Sequence, residues 1–259
     1  MSHEHLSEAP PDTIPGSRRT VLVTGASSGI GREVCRQLAR AGHAVHAVAR
    51  RAERLDVLAA EHPTVHAWPV DVIDEAAVDQ LAERIGPIND IVHAAGGARG
   101  SGPVLDSNSE HWEWMWRTNV LGTMYLLRAL APRLVEQGHG TIVVVTSVAA
   151  FQALEGSSGY STSKHAQSVI VQTLRNELLG TSVNVTEIAP GLVDTEFFAQ
   201  RFPDDPGRAR QMFDGLDPLT PTDIAHAVGY VLDQPGHVNV DRVVLQPTAQ
   251  GSNGKLHRR

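Results

Sequence analysis

Along the chain, short runs rich in valine, isoleucine and alanine alternate with longer stretches whose apolar residues recur at helical spacing. The short runs predict strands at 20–24, 44–49, 65–70, 89–93, 141–146, 182–188 and 242–245, with helical segments between most of them. Repetition of strand, helix and strand calls for a parallel sheet covered by helices on both faces. Right-handed crossovers then give an α/β, Rossmann-like, doubly wound fold: a seven-stranded parallel sheet in a single domain over 20–250.

Three stretches break the pattern. Residues 1–19 lack periodicity and carry Pro10, Pro11 and Pro15, the composition of a disordered arm, and 251–259 read as a flexible tail. Between Gly191 and Thr220 lies an irregular segment with Pro203, Pro206 and Pro218. An internal loop of that length serves function more often than it divides domains, and a substrate lid is expected over about 192–216.

Composition narrows the partners. Lys plus Arg is 22 against Asp plus Glu 29, a formal charge of −7, so no attraction to nucleic acid or to an anionic membrane is expected. Cys35 is the one cysteine, which excludes an internal disulfide and a cysteine-based zinc site; it falls at a core position of the first helix. No apolar run is long enough to span a bilayer, and the polar, acidic arm is unlike a signal peptide, so the expected location is cytoplasmic. The 13 histidines are scattered, and no metal site is assigned.

Chemistry enters at Thr24-Gly25-Ala26-Ser27-Ser28-Gly29-Ile30-Gly31, between the first strand and a helix predicted from Arg32. Gly25 permits a sharp strand exit, while Gly29 and Gly31 let backbone approach a diphosphate held at the helix N-terminus. An ordinary glycine-marked βα turn has the same look, and the spacing is Gly-x-x-x-Gly-x-Gly rather than Gly-x-Gly-x-x-Gly. The acid expected after the second strand, to hold an adenosine 2′-hydroxyl, is replaced by Arg50-Arg51. Two guanidiniums there suit a 2′-phosphate, which favours NADP over NAD; the plainer alternative is a solvated pair opening the next helix. Asp71 is placed either to accept from the adenine amino group or to cap the segment from Asp74.

Tyr160 and Lys164 stand four residues apart in a predicted helix and so share a face. A phenol of pKa ~10 needs a nearby positive charge, an ammonium or an oxidised nicotinamide, to work as an acid–base group near neutrality. Ser147 ends the fifth predicted strand, 13 positions before Tyr160. Asn119 lies inside a long helical segment, where its amide predicts a local distortion with bound water.

Taken in this order, the residues resemble the short-chain dehydrogenase/reductase family over nearly all of 20–248: TGASSGIG at 24–31, HAAG at 93–96, Asn119, Ser147, YSTSK at 160–164 and the Pro190-Gly191 turn running to Thr195. The resemblance implies that Tyr160 is the general acid/base, that Lys164 lowers its pKa and holds the nicotinamide ribose, that Ser147 polarises the carbonyl and that Asn119 anchors a water in a proton relay. It further implies that Gly25, Ser27, Ser28, Gly29, Ile30, Gly31, Arg50, Arg51, Asp71, Val72, Ala94, Ala95 and Gly96 line the dinucleotide site. Pro190, Gly191, Val193 and Thr195 would flank the nicotinamide, with Tyr160 and Lys164 touching it. His93 departs from the family's Asn-Asn-Ala-Gly and reads as a structural substitute. The run from Val238 to Gln250 is similar to members acting on small hydroxy acids such as serine, and to the clavulanic-acid dehydrogenase type.

The expected activity is NADP(H)-dependent hydride transfer between nicotinamide and a small-molecule carbonyl or secondary alcohol. Alternatives are a 3-oxoacyl carrier-protein reductase, with Arg128 and Arg133 as a docking patch, a 3-hydroxy acid or serine dehydrogenase and, outside the enzymes, an NADP(H)-sensing binding protein. A homodimer or homotetramer is implied by the resemblance. Trp112 and Trp116 are expected in core or interface with Trp114 facing elsewhere, and Arg99 is either a carboxylate contact or a solvated loop residue.

Overall fold

The computed structural model describes residues 18–252 and 254–259. The strands β1 (Thr20–Thr24), β2 (Ala44–Ala49), β3 (Val65–Pro69), β4 (Asp90–His93), β5 (Gly140–Val145), β6 (Val183–Pro190) and β7 (Arg242–Leu245) form one parallel sheet in the order β3-β2-β1-β4-β5-β6-β7. Each predicted strand is present within two residues of its expected ends. Ser182 stays outside β6 because its φ of 59° is incompatible with extended backbone.

Helices α1 (Gly29–Arg40), α2 (Ala52–Glu61) and α3 (Glu75–Arg84) connect the first four strands. Next come α4 (Ser109–Trp116), a π-helical turn over Arg117–Leu121 and α5 (Gly122–Gln137). The chain continues through α6 (Ser158–Glu177), the short α7 (Phe197–Arg201) and α8 (Pro206–Gln211), and α9 (Pro221–Leu232). Alternation along the strands supplies both faces. Val21 and Val23 of β1 pack with Val34, Cys35 and Leu38 of α1 and Ile224 and Val228 of α9. Leu22, between them, joins Leu126, Leu130 and Leu134 of α5 on the other face. A strand buried on both faces needs apolar residues at every position, which explains why its sequence reads as a continuous run.

After β3 the chain crosses to the far side of β1 to make β4. That reversal opens a crevice beyond the carboxyl ends of β1 and β4, where doubly wound sheets bind ligands.

Two expectations about the ends are revised. Residues 1–17 of the arm lie outside the described residues, but Arg19 is anchored: its Nη1 donates to both oxygens of the buried Asp90 at 3.0 Å. The tail is tied to the body of the protein rather than free. Leu256 bridges Gln250, the Arg259 N–H donates to the Gly215 carbonyl at 3.0 Å, and Arg258 donates to the Gln211 and Asp214 carbonyls. Carbonyls at the end of α8 and in the turns after it supply the acceptors, a contact between distant segments that local composition does not reveal.

Candidate active site

The β1 exit, the start of α1 and the β4 exit meet backbone to backbone. Gly25 has φ 69°, and a Cβ on it would lie 2.8 Å from the Ala94 carbonyl oxygen; one on Gly31 would lie 2.6 Å from the Gly25 backbone. Only glycine permits both approaches. Helix α1 begins at Gly29, a few residues earlier than predicted, and its N-cap, Ser28, makes no side-chain cap. The first turn holds no acidic residue, so unpaired N–H groups and partial positive charge border the crevice. These features fit a diphosphate.

Two cavities of about 180 Å³ each adjoin here. One is lined by Gly25, Ser27, Ser28, Gly29, Gly31, Arg50, Arg51, Asp71, Val72 and Ala95, the other by Ser147, Tyr160, Lys164, Pro190, Gly191 and Val193. Ile30, Ala94, Gly96 and Thr195 border both, so every residue expected to line a dinucleotide site lies along one continuous cleft.

Within the cleft the arginine pair splits. Arg51 donates to Ser27 Oγ at 3.0 and 3.1 Å and to Ser28 Oγ at 2.8 Å, while Arg50 sits at the rim with Nη1 3.9 Å from Asp71. Arg51 also meets Glu196 at 3.2 Å, and Arg54 meets the same carboxylate at 2.8 Å. Burial pushes the Glu196 pKa up, but its hydrogen bonds to Arg54 and Arg51 outweigh that and leave it below the usual range. Asp71 is not the cap of α3; Asp74 fills that place, accepting from the Ala77 N–H at 3.1 Å.

Gly159 lets α6 approach α4: a Cβ there would lie 2.6 Å from Met115 Cε. Tyr160 and Lys164 do share a face, with Nζ 5.9 Å from the phenol ring centre. Burial raises the Tyr160 pKa; a hydrogen bond with Ser147 and the charge of Arg201 oppose the rise without cancelling it. A second cation thus stands beside the phenol: the Arg201 guanidinium carbon is 5.8 Å from the ring centre, as near as Lys164 Nζ. The Lys164 ammonium is drawn aside to Gln167 Oε1 (2.7 Å) and the Val145 carbonyl (3.3 Å). Burial lowers its own pKa to about 7, against the opposing pull of Glu187.

The predicted distortion at Asn119 is the π-helical turn. Asn119 Oδ1 accepts from the Gly97 N–H, and Nδ2 donates to the Gly97 carbonyl and to Ser163 Oγ, each at 2.9 Å. The Asn119 carbonyl accepts from Thr123 Oγ1 at 2.7 Å. Asn119 therefore clamps the strand exit beside the cleft to α6.

His93 is fully buried in a hydrogen-bonded chain that fixes its tautomer. Thr123 spends its proton on Asn119, so its oxygen accepts from Gln167 Nε2 (2.8 Å) and from His93 Nε2–H (2.9 Å). Thr24 Oγ1 accepts from the Ala95 N–H at 3.1 Å and donates to the bare His93 Nδ1 at 2.9 Å. Burial first, and then the Lys164 charge, lower the His93 pKa to about 3, keeping it neutral. The ring takes the structural place read for it, and through Thr123 it holds Gln167, the partner of Lys164.

With this geometry in place, comparison with known proteins is decisive for the family. Residues 19–206 match the short chain dehydrogenase family. The chain belongs to that family. Family members similar to it include an uncharacterized oxidoreductase of Mycobacterium tuberculosis, 48% identical over 93% of this chain and 95% of the relative. The NADP-dependent 3-hydroxy acid dehydrogenase YdfG of Escherichia coli K12 is 36% identical over 92% of this chain and 99% of the relative. Among solved structures, the closed form of serine dehydrogenase complexed with NADP+ superposes with a TM-score of 0.88 at 36% identity, over 93% of this chain and all of that one.

Other residues at this family site escaped the sequence reading. Trp114 lines the dinucleotide cleft and carries the Arg99 guanidinium 4.6 Å over its ring, whereas Trp116 is 45% exposed. Arg201, Gln250 and Leu256 wall the inner cavity, although the last two lie far from it in sequence. Their only local signal was an arginine among phenylalanines, Phe197-Phe198-Ala199-Gln200-Arg201-Phe202.

Proposed function

We propose that the protein is an NADP(H)-dependent oxidoreductase interconverting a secondary alcohol and its carbonyl compound, with Tyr160 as proton donor and acceptor. The observation that carries this reading is the single cleft joining the uncapped α1 N-terminus and Arg51 at one end to Ser147, Tyr160 and Lys164 at the other. Bound NADP would supply hydride chemistry; Arg51 and Arg54 would hold its 2′-phosphate and the α1 turn its diphosphate. Ser147 and Tyr160 converge to hold a substrate oxygen, and Tyr160 moves the proton at that oxygen. The residues between Leu192 and Leu216, with their own cluster of Phe198, Phe202 and Ala209, act as the lid.

Among alternatives, the carrier-protein reductase is the less supported, because both of its docking residues have partners within the chain. Arg128 is paired with Glu75 at 2.6 Å, and Arg133 donates to the carbonyls of Ala82, Ile85 and Gly86. The hydroxy-acid reading is favoured by the similarity to the 3-hydroxy acid and serine dehydrogenases. A cytoplasmic dimer or tetramer belongs to the same reading.

Tyr160→Phe tests it. Turnover with NADPH falls by roughly 100-fold or more, the usual contribution of a general acid, while NADPH binding stays near normal. Undiminished turnover refutes the assignment.

A further inference from the structure

Arg201 sits at the end of α7 with only 9% of its surface exposed. Its Nε donates to the Gly100 carbonyl at 2.8 Å and one Nη2 bond reaches Ser157 Oγ at 3.0 Å. Both partners are neutral. Among the described residues no carboxylate lies within ion-pairing distance of this guanidinium, and Nη1 donates to no protein group. A buried cation without a counter-ion is costly and uncommon unless a ligand supplies the charge.

The surroundings sharpen the point. The guanidinium carbon is 5.8 Å from the Tyr160 ring centre and 5.4 Å from that of Phe202, whose ring also carries Arg208 at 4.3 Å. A second cation nearby adds to the positive potential rather than relieving it. Arg201 and Tyr160 line the same inner cavity, otherwise walled largely by apolar groups such as Leu154, Leu192, Phe198 and Leu256. The other cation lining this cavity, Lys164, is held by Gln167 and the Val145 carbonyl, which leaves the guanidinium to meet an anion, and its planar fork matches a carboxylate.

We infer that Arg201 is the substrate-carboxylate anchor: the ligand is a short hydroxy or oxo acid whose carboxylate pairs with Arg201 while its oxygenated carbon lies at Ser147 and Tyr160. This rests on the proposed oxidoreductase reading for the second half of that statement, but not for the first. Arg99, the other candidate, is stacked on Trp114 and does not border this cavity.

Two measurements test the anchor. Calorimetry on the NADP+-loaded wild type compares butyrate with its neutral isostere butyramide, which needs no turnover. Butyrate should bind roughly tenfold or more tightly, the difference expected of one charge-assisted pair. Arg201→Gln should erase that preference, and Arg201→Lys should restore part of it. Oxidation of 3-hydroxybutyrate and of its methyl ester is then followed as kcat/KM, with the acid-to-ester ratio expected to fall roughly tenfold in Arg201→Gln. Equal binding of butyrate and butyramide by the wild type overturns the proposal, whatever the variants do. Turnover of acid and ester at equal kcat/KM overturns it too, while leaving the oxidoreductase reading intact. Preferential binding of butyrate with no oxidation of either compound upholds the anchor and counts against that reading instead.

Discussion

The guanidinium of Arg51 and the carboxylate of Glu196 meet at 3.2 Å across 145 residues of chain, joining the end of β2 to the segment between β6 and α7. Arg51 is also the residue that touches both serines of the phosphate turn. In the proposed cofactor site, a 2′-phosphate arriving there would compete with Glu196. Both side chains are partly exposed, so the pair is weak, and Glu196→Gln should tighten NADPH binding about three- to fivefold, ~0.7–1 kcal/mol, without changing NADH. Weaker NADPH binding in this variant would mean that Glu196 orients Arg51 instead of competing for it.

Cofactor preference should follow Arg51 more than Arg50, because Arg50 is at the rim and only 3.9 Å from Asp71 at its nearest. Fluorescence titration of Arg51→Ala is expected to show NADPH affinity reduced roughly tenfold, with NADH little affected. Arg50→Ala should lose less. The reverse ranking would move the phosphate site to the rim.

Acid should destabilise the protein through His93. Its folded pKa of about 3 lies below the usual 6.5, so the unfolded chain binds more protons between those values. Stability contributed by the neutral ring is therefore complete above pH 6.5 and is lost as pH falls toward 3, amounting to ~2 kcal/mol at pH 5. Denaturant titrations at pH 7 and pH 5 should show a smaller loss in His93→Asn than in the wild type, by about that amount. Parallel losses in the two proteins would place the acid sensitivity elsewhere.

Arg258 reaches the proposed lid from the other end of the chain, donating to carbonyls at the end of α8 and just after it. In Arg258→Ala, amide exchange should quicken at residues 211–216 while the β1 and β5 core is unchanged, and KM should rise more than kcat falls. Unaltered exchange in that segment would show that the tail does not restrain it.

How much of this was legible in the sequence differs by element. Helix α1 and its glycine turn were readable because Gly31 answers to a contact within a few residues of chain and Gly25 to the exit of the neighbouring strand, although the contact of Gly29 with Thr195 is not local. Tyr160 and Lys164 were readable as a pair because helical spacing alone puts them on one face. What Lys164 does there was not, since Gln167, Val145 and Glu187 set the ammonium's partners and charge only once α6 lies on β5 and β6. Arg201 carried no local sign of its place; its burial depends on Gly100 and Ser157, each from a different loop.

By itself, the sequence determined the alternation of strands and helices, the glycine turn after β1 and the shared helix face of Tyr160 and Lys164, because all are written in local periodicity or spacing. Tertiary structure alone decided that Arg201 joins Lys164 beside the phenol, which tautomer His93 holds, and that Gln250 and Leu256 wall the inner cavity. Those outcomes depend on desolvation and on through-space charge, which no window of neighbouring residues contains.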